Sequence, residues 1–357
     1  MLGSMPVMVK LSDRYGRLAR DLRVSLTDRC NLRCTYCMPA EGLPWIPGEE
    51  VLTDGEISRL LRIAVEMLGI TKIRFTGGEP LLRKGLEGII EGASALSTAA
   101  GQPPELSLTT NGLGLDKRLD SLVSAGLNRV NISLDSLDSE RYFHLSRRDR
   151  LGDVLRAIDA VDAAGLHPLK INSVVMRGEN EQDVVPLATF AISRGYELRF
   201  IEQMPLGPAH EWDRQRMVGA QEILDQLGAA FAIAPLDQPR GAAPAQLFSA
   251  VPHSQDGDEW GAWRDRGSEP GRIGVIASVT QPFCTNCDRA RITSDGQVRS
   301  CLFSRVETDL RGPLRGGASD SELAELWALG HWVKPRSHGI DSDDFEPPQR
   351  TMSAIGG

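Results

Sequence analysis

All six cysteines of this 357-residue chain fall in two short stretches. "CNLRCTYC" covers residues 30–37 and "FCTNCDRARITSDGQVRSC" covers 283–301. Thiolates ligate zinc and iron–sulfur clusters, and in a reducing compartment tight C-x-x-C groupings read as metal or redox sites before disulfides. Cys30, Cys34 and Cys37 are spaced C-x3-C-x2-C, whereas Cys284, Cys287 and Cys301 are spaced C-x2-C-x13-C. A structural zinc site takes four ligands, and each group offers three. No further Cys or His stands near the first group, and only His331 or His338 is a candidate fourth ligand for the second. Two readings therefore stay open: a zinc site completed from elsewhere, or a [4Fe–4S] cluster on three thiolates with one iron free for another molecule's atoms.

Arginines gather beside these stretches and beside other unusual motifs: Arg23, Arg74, Arg199, Arg289 and Arg291. Arg289 and Arg291 alternate along a candidate strand, so they face the same way, and guanidinium groups match phosphate oxygens bidentately. The chain as a whole is acidic, with 40 Lys plus Arg against 48 Asp plus Glu. That balance argues against sequence-independent nucleic-acid binding, which needs a broad positive surface, but permits a local anion site. Hydrophobic residues make up 41%, as in a soluble globular protein. No apolar run approaches the roughly 18 residues of a membrane span. "MLGSMPVMVK" lacks the basic and apolar regions of a signal peptide, so the expected location is cytoplasmic.

The elements that must position these residues are legible as alternating β-rich and helical patterns. Strands are expected at 22–27, 72–76, 105–110, 129–135, 169–175 and 197–202. Ile57, Leu60, Leu61, Ala64 and Leu68 make one stripe of a helix over 56–68, opened by a Thr53–Glu56 capping box and closed before Gly69. A second helix, 153–164, stops at Gly165. Six βα units imply a parallel sheet covered by helices, read as a partial, open (β/α)6 barrel, with a flat doubly wound sheet as the alternative. "TDRC", "GGEP", "TNG", "SLDS" and "MPLG" all follow strands, and in α/β barrels those ends share one face. The division expected is a core at 1–235, a loop-rich insertion at 236–271, a second-cysteine region at 272–340 and a tail at 341–357. A helical pattern lies near 320–329.

"CNLRCTYC", with its aromatic before the third cysteine, followed by "GGEP" at 77–80, resembles the radical S-adenosylmethionine superfamily. In that family the open iron chelates the amino and carboxylate groups of S-adenosylmethionine. One electron then splits the sulfonium to methionine and a 5′-deoxyadenosyl radical. The "GGEP" glycines are expected to let the backbone approach the cofactor's amino group. "DLRVSLTDRCNLRCTYCMP", "KIRFTGGEPLLR", "LTTNG", "NISLDSLD", "RFIEQMPLG" and "FCTNCDRARITSDGQVRSCLF" together resemble the GTP 3′,8-cyclase family of molybdenum cofactor biosynthesis. The resemblance covers nearly the whole chain and is interrupted mainly at 236–271.

This resemblance implies two [4Fe–4S] clusters, one on Cys30, Cys34 and Cys37 and an auxiliary one on Cys284, Cys287 and Cys301. It implies S-adenosylmethionine lined by Tyr36, Gly78, Ser133 and Met204. GTP would be held by Arg23, Arg74, Thr109, Lys170, Arg289, Ala290 and Arg291, with its guanine at the auxiliary cluster. Gly356 and Gly357 would enter the barrel near the substrate; seven residues from Thr351 reach roughly 24 Å when extended. A low-potential donor of flavodoxin or ferredoxin type, a downstream cyclic pyranopterin monophosphate synthase and a homodimer are further implications. The rival activities are a peptide-modifying radical enzyme and a zinc-stabilised binding module.

Overall fold

The computed structural model describes residues 10–207, 212–254, 256–342 and 344–356. The N-terminal nine residues, which carry most of the stretch read for a targeting signal, lie outside the described residues, as does Gly357. Among the described residues no helix is long and apolar enough to cross a membrane.

Twelve strands form one sheet: β1 Asp21–Ser25, β2 Lys72–Thr76, β3 Glu105–Thr110, β4 Arg129–Ser133, β5 Lys170–Val175, β6 Glu197–Glu202, β7 Phe231–Pro235, β8 Gln246–Pro252, β9 Gly271–Ile276, β10 Arg289–Ile292, β11 Gln297–Arg299 and β12 Thr308–Asp309. Their order is β12-β11-β10-β1-β2-β3-β4-β5-β6-β9-β8-β7. From β10 through β1–β6 to β9 every pairing is parallel, while β11, β12, β8 and β7 extend the two ends antiparallel. Residues of all eight parallel strands line one cavity, so the sheet is curled into an open barrel and is not flat. β9 and β10 are not paired with each other; the barrel is open between them.

The parallel set thus holds eight strands, two more than the six expected. β10 pairs with β1 in the register Arg23↔Arg291, and β9 pairs with β6 in the register Arg199↔Gly274. Both pairings join segments far apart in sequence, and no local periodicity reports such a contact. The stretch 236–271, expected to be loop-rich, instead carries β8 and the helical turns Asp258–Trp260 and Gly261–Asp265. Trp260 and Trp263 are buried there, packed edge to face on each other, and Trp260 packs likewise on Phe231. The sheet runs unbroken across residues 235 and 271.

Alternation along the strands explains both the barrel and its interior. Leu22 and Val24, Ile73 and Phe75, Leu106 and Leu108, Val130 and Ile132 all lie in the apolar core. The residues alternating with them, Arg23, Arg74, Ser107 and Arg129, share one register row and point to the opposite face, because strand side chains alternate. The helix expected over 56–68 runs Asp54–Arg62 and continues as a wider π-helical turn, Ile63–Met67. Thr53 Oγ1 accepts from Glu56 N at 3.2 Å and the Glu56 carboxylate accepts from Thr53 N at 2.7 Å. Such a cap is worth about 1 kcal/mol. Gly69 then takes φ +79°, where a Cβ would be strained. The second helix is Leu151–Ala163, closed by Gly165 at φ +70°.

Candidate active site

Loops after the parallel strands bring the first thiols to a cavity of about 270 Å³. Cys30, Cys34 and Cys37 all line it, in the segment following β1. Burial pushes the Cys30 thiol up to about 11 and that of Cys37 to about 12, and raises Cys34 strongly with help from Asp135 and the other two thiols. Buried thiols that disfavour one another's ionisation form a donor set that wants positive charge among them.

The "GGEP" turn props this loop from below. A Cβ on Gly77 would overlap the Thr27 carbonyl oxygen, and one on Gly78 the carbonyl oxygens of Asp28 and Arg29. Gly78 N donates to Thr27 O and Glu79 N to Arg29 O, both at 2.7 Å. The glycines are therefore explained by contact with the cysteine loop's own backbone. Gly77 and Gly78 also line the cavity. Glu79 is buried and accepts from Leu81 N at 3.0 Å, Thr110 Oγ1 at 2.7 Å and Asn111 N at 2.8 Å. Burial still lifts its carboxyl to about 7. Asn111 in turn donates to Asn31 Oδ1 at 2.7 Å and contacts Cys30 Sγ at 3.9 Å.

On the opposite wall the Tyr36 hydroxyl donates to Asp135 Oδ2 at 2.9 Å, and Val174 N donates to Oδ1 at 2.9 Å. Burial raises the Asp135 carboxyl to about 6 against those bonds. A Cβ on Gly207 would overlap the Tyr36 carbonyl oxygen, so "MPLG" packs on the cysteine loop too. Ser133, Met204 and Thr109 line the cavity, and Asn131 Nδ2 donates to Thr109 Oγ1 at 3.2 Å.

The second trio surrounds an adjoining cavity of about 80 Å³ that shares Met204, Ser278, Phe283, Arg289, Arg291 and Leu302 with the first. Burial raises the Cys287 thiol, but Arg289 and Lys334 outweigh it and bring it down to about 7. Lys334, 2% exposed, donates to Cys287 O at 3.2 Å and Arg289 O at 2.6 Å. Arg17 donates to Cys284 O at 2.6 Å. Of the two candidate fourth ligands, His338 lines this cavity with both ring nitrogens engaged, Nε2 on Ser278 O at 2.9 Å and Nδ1 accepting from Ile340 N at 3.1 Å. His331 is fully buried, and neither of its ring nitrogens has a hydrogen-bond partner. Among the described residues no group of three or more His, Cys, Asp or Glu is gathered for one metal ion. Three thiols spread round a cavity, with no free histidine at it, fit a cluster with an open position better than a closed zinc site.

Between the sites the barrel interior is cationic. Arg23, Arg74, Lys170, Arg199, Arg289 and Arg291 gather there, and among the described residues Asp21 and Glu197 are the carboxylates of the same strands that act on them, so cations are in excess. Arg23 Nε, Arg74 Nε and one terminal nitrogen of Arg289 are buried without a hydrogen-bond partner. Burial and neighbouring arginines depress the guanidinium of Arg23, and burial depresses that of Arg74. Unpaired buried cations cost several kcal/mol, and an anion there removes that cost.

Two expected contacts fall elsewhere. Ala290 is fully buried in the apolar core on the face opposite Arg289 and Arg291, so its side chain cannot reach a ligand in the cavity. Lys170 does not line the cavity; it stands at the head of β5, 3.5 Å from Glu197. Gly356 lies against Ser25 and Thr76, where a Cβ would come within 2.9 and 3.0 Å, and its carbonyl accepts from Arg291. Lys334 and Arg17 carried no signal in the sequence, because their partners lie far along the chain. Asp135 was visible only as part of "SLDS", and Arg199 as an arginine after a strand start.

A family model described as the Radical SAM superfamily matches residues 24–191, and one described as Molybdenum Cofactor Synthesis C matches residues 196–340. The GTP 3′,8-cyclase of Corynebacterium glutamicum is 61% identical over 347 residues, covering 97% of this chain and 89% of that protein. The GTP 3′,8-cyclase of Mycolicibacterium smegmatis is 52% identical over 347 residues, covering 97% and 92%. Among solved structures, Streptococcus suis SuiB bound to S-adenosylmethionine superposes with TM-score 0.56 at 14% identity, covering 92% of this chain and 67% of that one. Native anSMEcpe with bound AdoMet and Cp18Cys peptide gives 0.53 at 16%, covering 94% and 93%. At these identities the structural likeness concerns the fold.

Proposed function

The chain belongs to the GTP 3′,8-cyclase family of the radical SAM superfamily, and from that premise we propose how its two thiol sites and its cationic interior divide the work. The enzyme acts on GTP in molybdenum cofactor biosynthesis, joining ribose C3′ to guanine C8 to give 3′,8-cyclo-7,8-dihydro-GTP. Cys30, Cys34 and Cys37 hold the iron–sulfur cluster of the radical SAM domain. That cluster, when bound, supplies the one-electron cleavage of S-adenosylmethionine to the 5′-deoxyadenosyl radical that takes the C3′ hydrogen. Tyr36, Gly78, Ser133 and Met204 line the cofactor. Cys284, Cys287 and Cys301 would hold a second [4Fe–4S] cluster, which would supply an anchoring point for the guanine.

The observation that carries the substrate assignment is the cluster of buried cations inside the barrel, of which Arg23, Arg74 and Arg289 each keep a nitrogen without a hydrogen-bond partner. Arg23, Arg74, Arg199, Arg289 and Arg291, which line the cavity, hold the triphosphate, with Lys170 outside the lining acting through its charge, and Thr109 contacts the nucleoside. With triphosphate and base held apart, the ribose between them loses most of its freedom, which favours a single hydrogen-transfer geometry. The apolar members of the lining, such as Ile201 and Leu302, keep water and hydrogen donors from the carbon radical. Gly356 belongs to this site, and removal of Gly356 and Gly357 is expected to abolish cyclisation; unchanged product would reject that role. A reduced flavodoxin or ferredoxin is the electron source, a cyclic pyranopterin monophosphate synthase takes the product, and a dimer is the assembly suggested by the family. The cytoplasm, where thiols stay reduced, suits both cysteine sites.

The deciding experiment incubates anaerobically reconstituted, reduced protein with S-adenosylmethionine and GTP, ATP or a cysteine peptide. Formation of 5′-deoxyadenosine with GTP alone supports the assignment, and its formation with the peptide would favour the peptide-modifying alternative. Replacing Cys284, Cys287 and Cys301 by serine is expected to remove about half of the bound iron; loss of zinc instead would reject the second cluster.

A further inference from the structure

The last segment of the chain is held in the barrel by a short set of contacts of its own, among them a hydrogen bond from the Ser353 backbone to the Cys37 thiol. Of residues 351–356, Ser353 and Ile355 are buried side chains, and Ile355 packs in a small cluster with Leu206 and Phe303. Met352 N donates to Leu206 O at 2.9 Å. Chain ends with so few contacts fray unless tied down. The tie is Arg350, immediately before the segment. Its two terminal nitrogens donate to Asp295 Oδ1 and Oδ2 at 3.0 and 2.8 Å, and its Nε pairs with Glu307 Oε1 at 2.9 Å. Asp295 is fixed from the other side by the Thr293 hydroxyl at 2.6 Å, and Glu307 by Arg299. The bidentate pair anchors to the turn between β10 and β11, the same turn that follows Arg291. At the far end of the segment, Gly356 at φ +86° turns its carbonyl onto the Arg291 guanidinium.

We propose that Arg350 is a positioning residue: its pairing with Asp295 and Glu307 latches residues 351–356 in the barrel, and through the Gly356 carbonyl it orients Arg291 toward the nucleotide's phosphates. The second half rests on the assignment of Arg291 to the triphosphate made above. The first half does not depend on it.

The test uses the reconstituted enzyme, with Arg350→Ala, Arg350→Lys, Asp295→Asn and Arg291→Ala variants whose iron content and melting temperature are checked first. Two quantities are read: hydrogen exchange of the C-terminal peptide by mass spectrometry, and GTP affinity by calorimetry. Loss of a bidentate, charge-assisted pair is expected to speed exchange at Met352, Ile355 and Gly356 by about tenfold or more and weaken GTP by about fivefold, with Arg350→Lys in between. Asp295→Asn keeps the side-chain shape and carries the test if Arg350→Ala does not fold. Wild-type exchange in both Arg350→Ala and Asp295→Asn overturns the latch. If Arg350 acts through Arg291, the double variant Arg291→Ala/Arg350→Ala binds GTP no more weakly than Arg291→Ala alone. Additive losses overturn that link. Unchanged GTP affinity in Arg291→Ala would instead reject the triphosphate assignment, while the exchange data still judge the latch.

Discussion

Lys170 stands 7% exposed at the head of β5 beside Glu197, and burial followed by the charge of Arg199 brings its ammonium down to about 7. In the free enzyme the unfolded chain therefore holds more protons than the folded one between pH about 7 and the ordinary lysine value of 10.5. The penalty for charging Lys170 is complete below pH 7 and fades as pH rises through that window. A triphosphate nearby favours the ammonium, so GTP binding takes up a proton above pH 7 and weakens as pH increases. Calorimetry in two buffers of different ionisation enthalpy measures that uptake. Lys170→Met is expected to abolish it, raise the melting temperature of the free protein at pH 7 and weaken GTP by about tenfold. Lys334 acts at the same scale on the second trio. Lys334→Met leaves the carbonyls of Cys287 and Arg289 without their donor and is expected to destabilise that segment by about 1–3 kcal/mol. The expected signature is loss of iron from the second site with the first retained, read by metal analysis and by electron paramagnetic resonance.

At the scale of elements, two glycines make a controlled comparison. Gly78 sits where a Cβ would overlap the backbone of Asp28 and Arg29, whereas Gly88, in helix Leu86–Ser94, has nothing within 4 Å of that position. Gly78→Ala must push the loop that carries Cys30, and is expected to cost about 1–3 kcal/mol and most of the first site's iron. Gly88→Ala is expected to be neutral or to stabilise by up to about 1 kcal/mol. Equal iron contents in the two variants would show that the "GGEP" turn does not support the cysteine loop. Element ends were the part of the secondary structure least legible from sequence: strands expected at 22–27, 129–135 and 169–175 run 21–25, 129–133 and 170–175. β2, β3 and β6 match to the residue, because each is bounded by a glycine, a proline or a turn pair that stops the ladder.

For the whole molecule, stability is expected to be unevenly spread along the sheet. β7 is an edge strand paired only with β8, and three of its five residues are exposed, whereas β1–β6 have partners on both sides. Hydrogen exchange is expected to be faster across β7 than across β1–β6, and equal protection would mean that the hairpin and barrel open as one unit. The open seam between β9 and β10 is where the second thiol site, the tail and the shared wall of the two cavities meet. Two sites that lie over 240 residues apart in the chain thus share one space.

The sequence by itself determined that two thiolate donor sets exist, since cysteine spacing is a local fact, and narrowed their guests to zinc or an iron–sulfur cluster. It also pointed to the barrel class, since six alternating βα units imply a parallel sheet with its motifs at one end. Tertiary structure alone decided three other matters. It set the number of parallel strands, because β9 and β10 pair with β6 and β1 across long sequence separations. It decided how each cation is met, since Lys170 finds Glu197 and Arg74 stands 3.9 Å from Asp21, while Arg23 and Arg74 each keep an orphaned Nε. And it turned Ala290 away from the site that its neighbours enter. The physical reason is common to all three: pairing, charge compensation and facing are relations between residues that only the folded chain brings within reach.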